Sequence, residues 1–365
     1  MTRVGLAGLG NAARTLHLPA LAGLRDVEIV GGCDPDAGSR ERVAREHGCP
    51  TFPSLPELFE RGRPEVVIVC TPPRSHMEVC LEILEAGAHV ICEKPFATSV
   101  EEADRIIEAA GRTGRRVAMN HEFREMPIFR AVRDWIGTPP VGDLVFAQAW
   151  QTMDLPPWEE KGWRSHLLLG TLFEAGIHLI DYMLYLFGEP PRAVSAVHSS
   201  CGAHPEDSDA VALVTLRFGE GRLAQVTQNR LCRGATQYFE VRADCSEASL
   251  RASFGGRARL SAGLFRSTRP HVRWEWGSSG IAWRERGGKR SAIDRNPRDP
   301  AMVGTRRLLE KTLSGFREGR APPASAEDGR ISLEVLAACH ESADAGREIE
   351  LGTGAPPHLR SLRLA

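Results

Sequence analysis

The chain has 365 residues, 42% hydrophobic and 25% charged, an ordinary globular composition too long for one hydrophobic core, so two domains are expected. Lys and Arg number 46 against 47 Asp and Glu, a formal net charge of -1, and nothing in that balance points to nucleic acid or a membrane surface as partner. Nine cysteines stand singly without a CxxC pair, no basic and apolar leader opens the chain, and no apolar run reaches the roughly 18 residues of a membrane span; the expectation is a reduced, cytoplasmic protein.

Residues 1–120 alternate strand-like and helix-like segments. Short β-rich runs lie at 3–7, 27–33, 66–70, 89–92 and 116–119, with helical periodicity at 76–86 and 100–112. Such spacing reads as βαβ units on a doubly wound parallel sheet. Thr98 or Ser99 ahead of Glu101 and Glu102 reads as a helix N-cap. After the first strand, Gly8-Leu9-Gly10-Asn11-Ala12-Ala13 matches GxGxxA. In that context Gly8 permits the tight turn, and Gly10 lets the backbone approach a pyrophosphate at the N-terminus opened by Asn11 and Ala12. Asp34 ends the second strand, where an acid can bond an adenosine ribose 2′-hydroxyl and would repel a 2′-phosphate. The cofactor expected is therefore NAD, with NADP second.

After Asn120 the character changes. A helical segment at 127–135 leads to a strand at 144–151, a Pro- and Trp-rich loop at 154–163 and one strongly apolar helix at 172–187. Alternating segments at 193–198, 211–218, 223–228 and 238–242 read as antiparallel strands. The stretch 277–298 is polar and Gly-rich and reads as a loop; helices are expected at 301–316 and 325–345. The expected division is a dinucleotide-binding domain at 1–120 and a substrate-binding, catalytic and oligomerisation domain at 121–365.

The apolar helix carries Glu174, His178 and Asp181 at i, i+4 and i+7, one stripe if the helix is regular. Polar groups on a buried helix need partners or a cleft. A histidine there is suited to take a proton near neutrality, with the carboxylates as its neighbours. Asp181 reads as supporting rather than acting. The same three side chains could hold a divalent metal, but no cysteine joins them and no metal is expected. Trp163, Arg164 and His166, just ahead of that helix, are candidates for substrate contact through stacking and donated hydrogen bonds, as is Trp158 by stacking. Asn120, His121 and Arg124 follow the last strand of the parallel sheet.

Two segments resemble a known family. Cys70-Thr71-Pro72-Pro73 with His76, followed by Ala86-Gly87-Ala88-His89-Val90-Ile91-Cys92-Glu93-Lys94-Pro95, looks like the Gfo/Idh/MocA oxidoreductases, whose most specific mark is Glu-Lys-Pro. The segment 170–181 resembles the family's second signature. The resemblance implies a Rossmann domain joined to a C-terminal α+β domain with a large, open, mainly antiparallel sheet. It implies a nicotinamide cofactor held also by Thr71, Pro72, His76, Glu93, Lys94 and Asn120. It further implies sugars, sugar derivatives or cyclic polyols as substrates, with Lys94 and His178 catalytic and in contact with substrate, Glu174 where the family often has Asp, and a homodimer or homotetramer. Pro73 stands where Asn is common. Two alternatives stay open: redox-assisted elimination through a transient ketone, and a non-enzymatic dinucleotide sensor.

Overall fold

The computed structural model describes residues 1–155, 170–201, 209–234, 237–254, 258–263, 271–276 and 280–352. Among these, contacts define two compact units: residues 1–125 with 301–334, and those of 126–300 with 335–352.

The first unit holds strands β1 (Thr2–Ala7), β2 (Val27–Cys33), β3 (Thr51–Phe52), β4 (Val66–Val69), β5 (His89–Cys92) and β6 (Val117–Met119). All pair in parallel in the order β3-β2-β1-β4-β5-β6. The strand order reverses between β1 and β4, the place where doubly wound sheets leave a crevice beyond their carboxyl ends. Helices cover both faces, so the central strands are apolar throughout: Val66, Val67, Ile68 and Val69 are all buried. The helices are α1 (Leu18–Leu21, entered through the wide π-type turn Ala13–His17), α2 (Ala37–His47), α3 (Leu55–Glu57), α4 (His76–Glu85) and α5 (Val100–Thr113). Ser99 caps α5, its hydroxyl accepting from Glu102 N–H, while the Glu102 carboxylate accepts from the N–H and hydroxyl of Thr98.

The chain continues through α6 (Pro127–Trp135) and α7 (Ile177–Phe187) to α8 (Pro300–Glu318) and α9 (Ala326–Ala345). Leu309, Leu313 and Phe316 of α8 repeat at helical spacing and join Val4, Leu6, Val66 and Ile68 in one core, which is why residues 301–334 belong with the first unit.

The second unit is built on a sheet of β7 (Leu144–Thr152), β8 (Ala193–Ser199), β9 (Val211–Arg217), β10 (Leu223–Asn229), β11 (Gln237–Cys245), β12 (Ser249–Phe254), β15 (Ile281–Arg286), β16 (Lys289–Arg295) and β17 (Ile349–Glu350). Strands β13 (Ala258–Gly263) and β14 (His271–Trp276) form a separate hairpin. The order is β16-β15-β12-β11-β7-β10-β9-β8-β17, antiparallel except for β7 with β10. Its small inward residues, among them Ala147, Ala149, Ala224 and Val226, lie under α6 and α7, which Tyr182 ties together by donating to Phe129 O at 2.7 Å. The opposite face exposes Val197, Leu213, Leu223 and Tyr238.

The stretch 277–298, read as a loop, is corrected by the structure: apart from 277–279, which lie outside the described residues, it contains the β15–β16 hairpin. Gly287 and Gly288, both at positive φ (56° and 72°), make its turn rather than a long flexible segment. Among the described residues no helix is long and apolar enough to cross a membrane, and all nine cysteines are free.

Candidate active site

The glycine loop closes β1. Gly8 has φ of 88°, and a Cβ there would lie 2.8 Å from the backbone of Cys70 and Thr71, so only glycine fits. Gly10 is different: a Cβ would meet nothing within 4 Å. Open space therefore lies in front of Gly10, Asn11 and Ala12, at the start of a helical segment whose first N–H groups have no intrahelical acceptors. The Asp34 carboxylate accepts from Leu9 N–H and Asp36 N–H, each at 2.8 Å, which fixes it beside the loop with lone pairs left for a hydroxyl. Arg40 Nη1 donates to the carbonyls of Asp34 and Pro35, at 2.8 and 2.9 Å.

Lys94 follows β5 and is half-buried. Beneath it the Glu93 carboxylate accepts from His17 Nε2 at 2.6 Å, from Asn120 Nδ2 at 2.8 Å and from Lys94 N–H at 3.2 Å. Burial alone would lower the His17 ring, but the Cys70 sulfur and the Glu93 carboxylate outweigh it and hold the ring well above the ordinary histidine value. Burial alone would raise Glu93, but His17, Lys94 and the Asn120 amide bring it below the ordinary carboxylate value. Both shifts favour the charged forms of the pair. His76 is wholly buried, with Nε2 2.8 Å from Thr71 O and Nδ1 2.9 Å from Pro95 O; burial lowers its pKa, and the neutral ring donates to one of the two. Glu93 and His76 thus brace the strand-end loops. Pro72 is exposed at the mouth of the same loop.

Among the described residues, Thr71 Oγ1 after β4 and Asn120 Oδ1 after β6 are buried with no hydrogen-bond partner. Buried oxygens left unpaired cost free energy unless a ligand meets them. With the open space before Gly10, they fit a dinucleotide running from the glycine loop to the ends of β4, β5 and β6.

In the second unit the expected regular helix is a wide π-type turn, Thr171–Gly176, followed by α7. Glu174 thus stands on the wide turn, while His178 and Asp181 stand on α7. Glu174 is half-buried, and His178 and Asp181 are 5% and 1% exposed. The turn is anchored from a distance: the buried Asp209 carboxylate, ahead of β9, accepts from Thr171 N–H at 3.0 Å and Leu172 N–H at 2.9 Å. Trp158, Trp163, Arg164 and His166 lie outside the described residues. Arg124 pairs with Asp328 at 3.1 Å, and His121 is buried.

Sequence reasoning passed over His17, Glu122 and Asp209. His17 left one signal, a histidine inside the apolar run Leu16-His17-Leu18. Glu122 and Asp209 left none.

Residues 2–121 match the oxidoreductase family with the NAD-binding Rossmann fold, and residues 129–251 match the GFO/IDH/MocA C-terminal domain. Among curated relatives, 1,5-anhydro-D-fructose reductase of Ensifer adhaerens is 28% identical over 362 residues, covering 97% of this chain and 100% of its own. The scyllo-inositol 2-dehydrogenase (NADP(+)) of Bacillus subtilis is 26% identical, covering 96% of each chain. Among solved structures, GenD2 from gentamicin A biosynthesis, in complex with NAD, shares the fold with a TM-score of 0.78 at 20% identity over 97% of both chains.

Proposed function

The chain belongs to the Gfo/Idh/MocA oxidoreductases, and from that premise we propose that it transfers a hydride between NAD and a ring carbinol of a sugar, sugar derivative or cyclic polyol. The observation that carries this reading is the strand-end cluster. Lys94 stands on a braced loop, flanked by the unpaired Thr71 Oγ1 and Asn120 Oδ1.

Gly8, Gly10, Asn11, Ala12, Asp34, Thr71, Pro72 and Asn120 would hold the dinucleotide; Glu93 and His76 keep those loops in place. When bound, the nicotinamide accepts or returns the hydride. Oxidising a carbinol also needs a base for the hydroxyl proton and a cation near the developing oxyanion. In this reading His178 takes the proton, Lys94 donates to the oxygen, and Glu174 accepts from a neighbouring hydroxyl. Trp163, Arg164 and His166 are proposed to line the substrate. A hydroxyl-rich ring suits these groups better than a 2-hydroxy acid, which would need a rigid arginine clamp. Asp34 favours NAD over NADP, since a 2′-phosphate would face its carboxylate. A cytoplasmic setting and a homodimer or homotetramer are part of the proposal, the latter through the apolar outer face of the sheet.

The test is to denature the purified protein, identify any released nucleotide, and screen sugars and polyols for a change at the nicotinamide absorbance band. A substrate deuterated at the reacting carbon should deliver its label to the nicotinamide. Turnover confined to open-chain hydroxy acids would remove the sugar assignment. Cleavage without net NADH would favour elimination, and NAD binding with no turnover a sensor.

A further inference from the structure

His76 opens α4, and both of its ring nitrogens face carbonyl oxygens. Nε2 lies 2.8 Å from Thr71 O, on the loop after β4. Nδ1 lies 2.9 Å from Pro95 O and 3.3 Å from Phe96 O, on the loop after β5 that carries Lys94. A neutral imidazole has one N–H and one bare nitrogen, and a carbonyl oxygen only accepts. At such distances one of the two loops must face the ring lone pair to lone pair. With the hydrogen on Nε2, two carbonyl oxygens face the bare Nδ1. The Cys92 thiol, 3.4 Å from Nδ1, is a weak donor and removes neither of those contacts. With the hydrogen on Nδ1, only Thr71 O faces a bare nitrogen. The neutral ring is therefore the Nδ1–H tautomer, which holds the Lys94 loop and leaves the Thr71 loop unheld.

A second proton, on Nε2, would turn the Thr71 contact into a charge-assisted hydrogen bond. Burial opposes that proton; the carbonyls of Thr71, Pro95 and Phe96 and the Glu93 carboxylate favour it, and the balance leaves the ring below its ordinary value of 6.5. From β5 comes the Cys92 thiol, which burial keeps neutral, and Glu93 itself, which His17 pairs. Lys94, half-buried in the Pro95 loop, carries the like charge. β4 presents the apolar run Val66–Val69, and the buried positions of α5, beside α4, are Val100, Ala103, Ile106 and Ala109. On the turn and helix of His76 itself, Arg74 and Glu78 are exposed and Cys80 is buried.

We propose that His76 is a positioning residue that works as a proton-dependent clamp between the two strand-end loops. Its first proton holds the Lys94–Pro95 loop, and a second, taken from solvent onto Nε2 as pH falls, ties Thr71 as well. The proton adds to the Nε2 lone pair, and no bond between heavy atoms changes. Thr71 carries one of the unpartnered oxygens offered to the dinucleotide, so tying its backbone orders a cofactor contact before the cofactor arrives. That consequence rests on the reading of Thr71 as a cofactor residue; the state of the ring does not.

Nitrogen-15 NMR of the cofactor-free wild type reads the ring directly, its signals assigned by their loss in His76→Asn. At pH 8 Nδ1 should be protonated and Nε2 bare, and Nε2 should gain its proton below 6.5. An Nε2–H tautomer at pH 8, or an Nε2 still bare at pH 5, overturns the proposal without any ligand or variant protein behaviour. The dissociation constants of NAD+ and NADH should both fall, by about threefold to tenfold, as pH drops from 8 to 5, the scale of one added hydrogen bond. His76→Asn, whose amide nitrogen stands near the place of Nδ1, keeps the Pro95 contact alone and should bind at the weaker, alkaline level throughout. His76→Gln, whose amide nitrogen reaches toward the place of Nε2, should stay near the tighter, acid level. A His76→Asn variant that keeps the wild-type slope overturns the proposal. A wild type that binds neither nucleotide while its ring titrates as stated would remove the cofactor reading and leave the clamp in place.

Discussion

The two units position their candidate residues with different kinds of contact. In the first, Lys94 stands on a loop at a strand end, and its position comes from a buried ion pair below it, His17 with Glu93, plus the Asn120 amide. In the second, His178 stands on α7, and the Asp209 carboxylate accepts from the amides of Thr171 and Leu172 at the start of the wide turn before it. A charged brace is unforgiving because losing one partner strands the other in the interior. A carboxylate on backbone N–H groups is milder to alter, since an amide in its place keeps an oxygen that can accept from them.

Removing His17 should break that contrast most severely. His17→Gln keeps a donor but removes the charge, and His17→Ala leaves Glu93 buried without its cation. The alanine variant should lose about 3–5 kcal/mol, the range for breaking a buried pair. The pH dependence follows from both shifts. His17 is raised, so its contribution is complete below 6.5 and is lost as pH climbs toward its folded value. Glu93 is lowered, so its contribution is complete above 4.5 and is lost as pH falls through its folded value. The wild-type advantage over His17→Gln in denaturant unfolding should therefore be largest between 4.5 and 6.5 and shrink at pH 9. Equal advantages at pH 5.5 and pH 9 would mean that no ion pair forms.

Lys94→Ala and His178→Ala should each lower kcat by about 10²-fold or more, the usual scale for positioned acid–base groups. The comparison is sharpened by cofactor affinity, because only Lys94 belongs to the unit that carries the glycine loop. NAD binding, measured by calorimetry, should change little in His178→Ala. Near wild-type turnover in Lys94→Ala would show that the Glu-Lys-Pro lysine has another role.

Asp209→Asn should act more gently. A cap of this kind contributes about 1–2 kcal/mol. Its loss lets the wide turn relax, so kcat should fall several-fold while NAD affinity stays unchanged. Asp209→Ala, which keeps no acceptor where Asn keeps its amide oxygen, should lose more of that activity. If Asn and Ala variants match the wild type in kcat, the turn is held by its packing alone.

The same contrast explains what the sequence discloses. Gly8 and Asp34 are legible because backbone sterics and ligand charge restrict which residues stand there, at short and fixed spacing after a strand. The parallel sheet is legible because Val66, Val67, Ile68 and Val69 form an unbroken apolar run. His17 and Glu93 are 76 residues apart, so their pairing is a fact of the fold alone. Asp209 is equally hidden, and with it the wide turn that carries Glu174, since an apolar run gives no sign of helical pitch. The β15–β16 hairpin was obscured by polar residues on its exposed face, although Gly287-Gly288 is a recognisable hairpin turn.

The smallest effect lies at Arg40, where the first unit's charged bracing meets solvent. Its guanidinium is tied to the carbonyls of Asp34 and Pro35, immediately behind the carboxylate proposed to read the ribose. A 2′-phosphate would meet Asp34 as a repulsive neighbour and Arg40 as the nearest compensating charge in this segment. The carboxylate is fixed by two backbone N–H groups and cannot turn away cheaply, whereas Arg40 is only partly buried and its charge is screened. Repulsion should therefore prevail and NAD should bind more tightly than NADP. Arg40→Ala should weaken NADP by only a few-fold, under about 1 kcal/mol, as for exposed ion pairs. NAD, which presents a hydroxyl there, should be unaffected. Titrations of both nucleotides against wild type and variant decide the matter. Tighter binding of NADP by the wild type would show that Arg40 outweighs Asp34, and equal losses for both nucleotides would make Arg40 a brace of the loop rather than a reader of the phosphate.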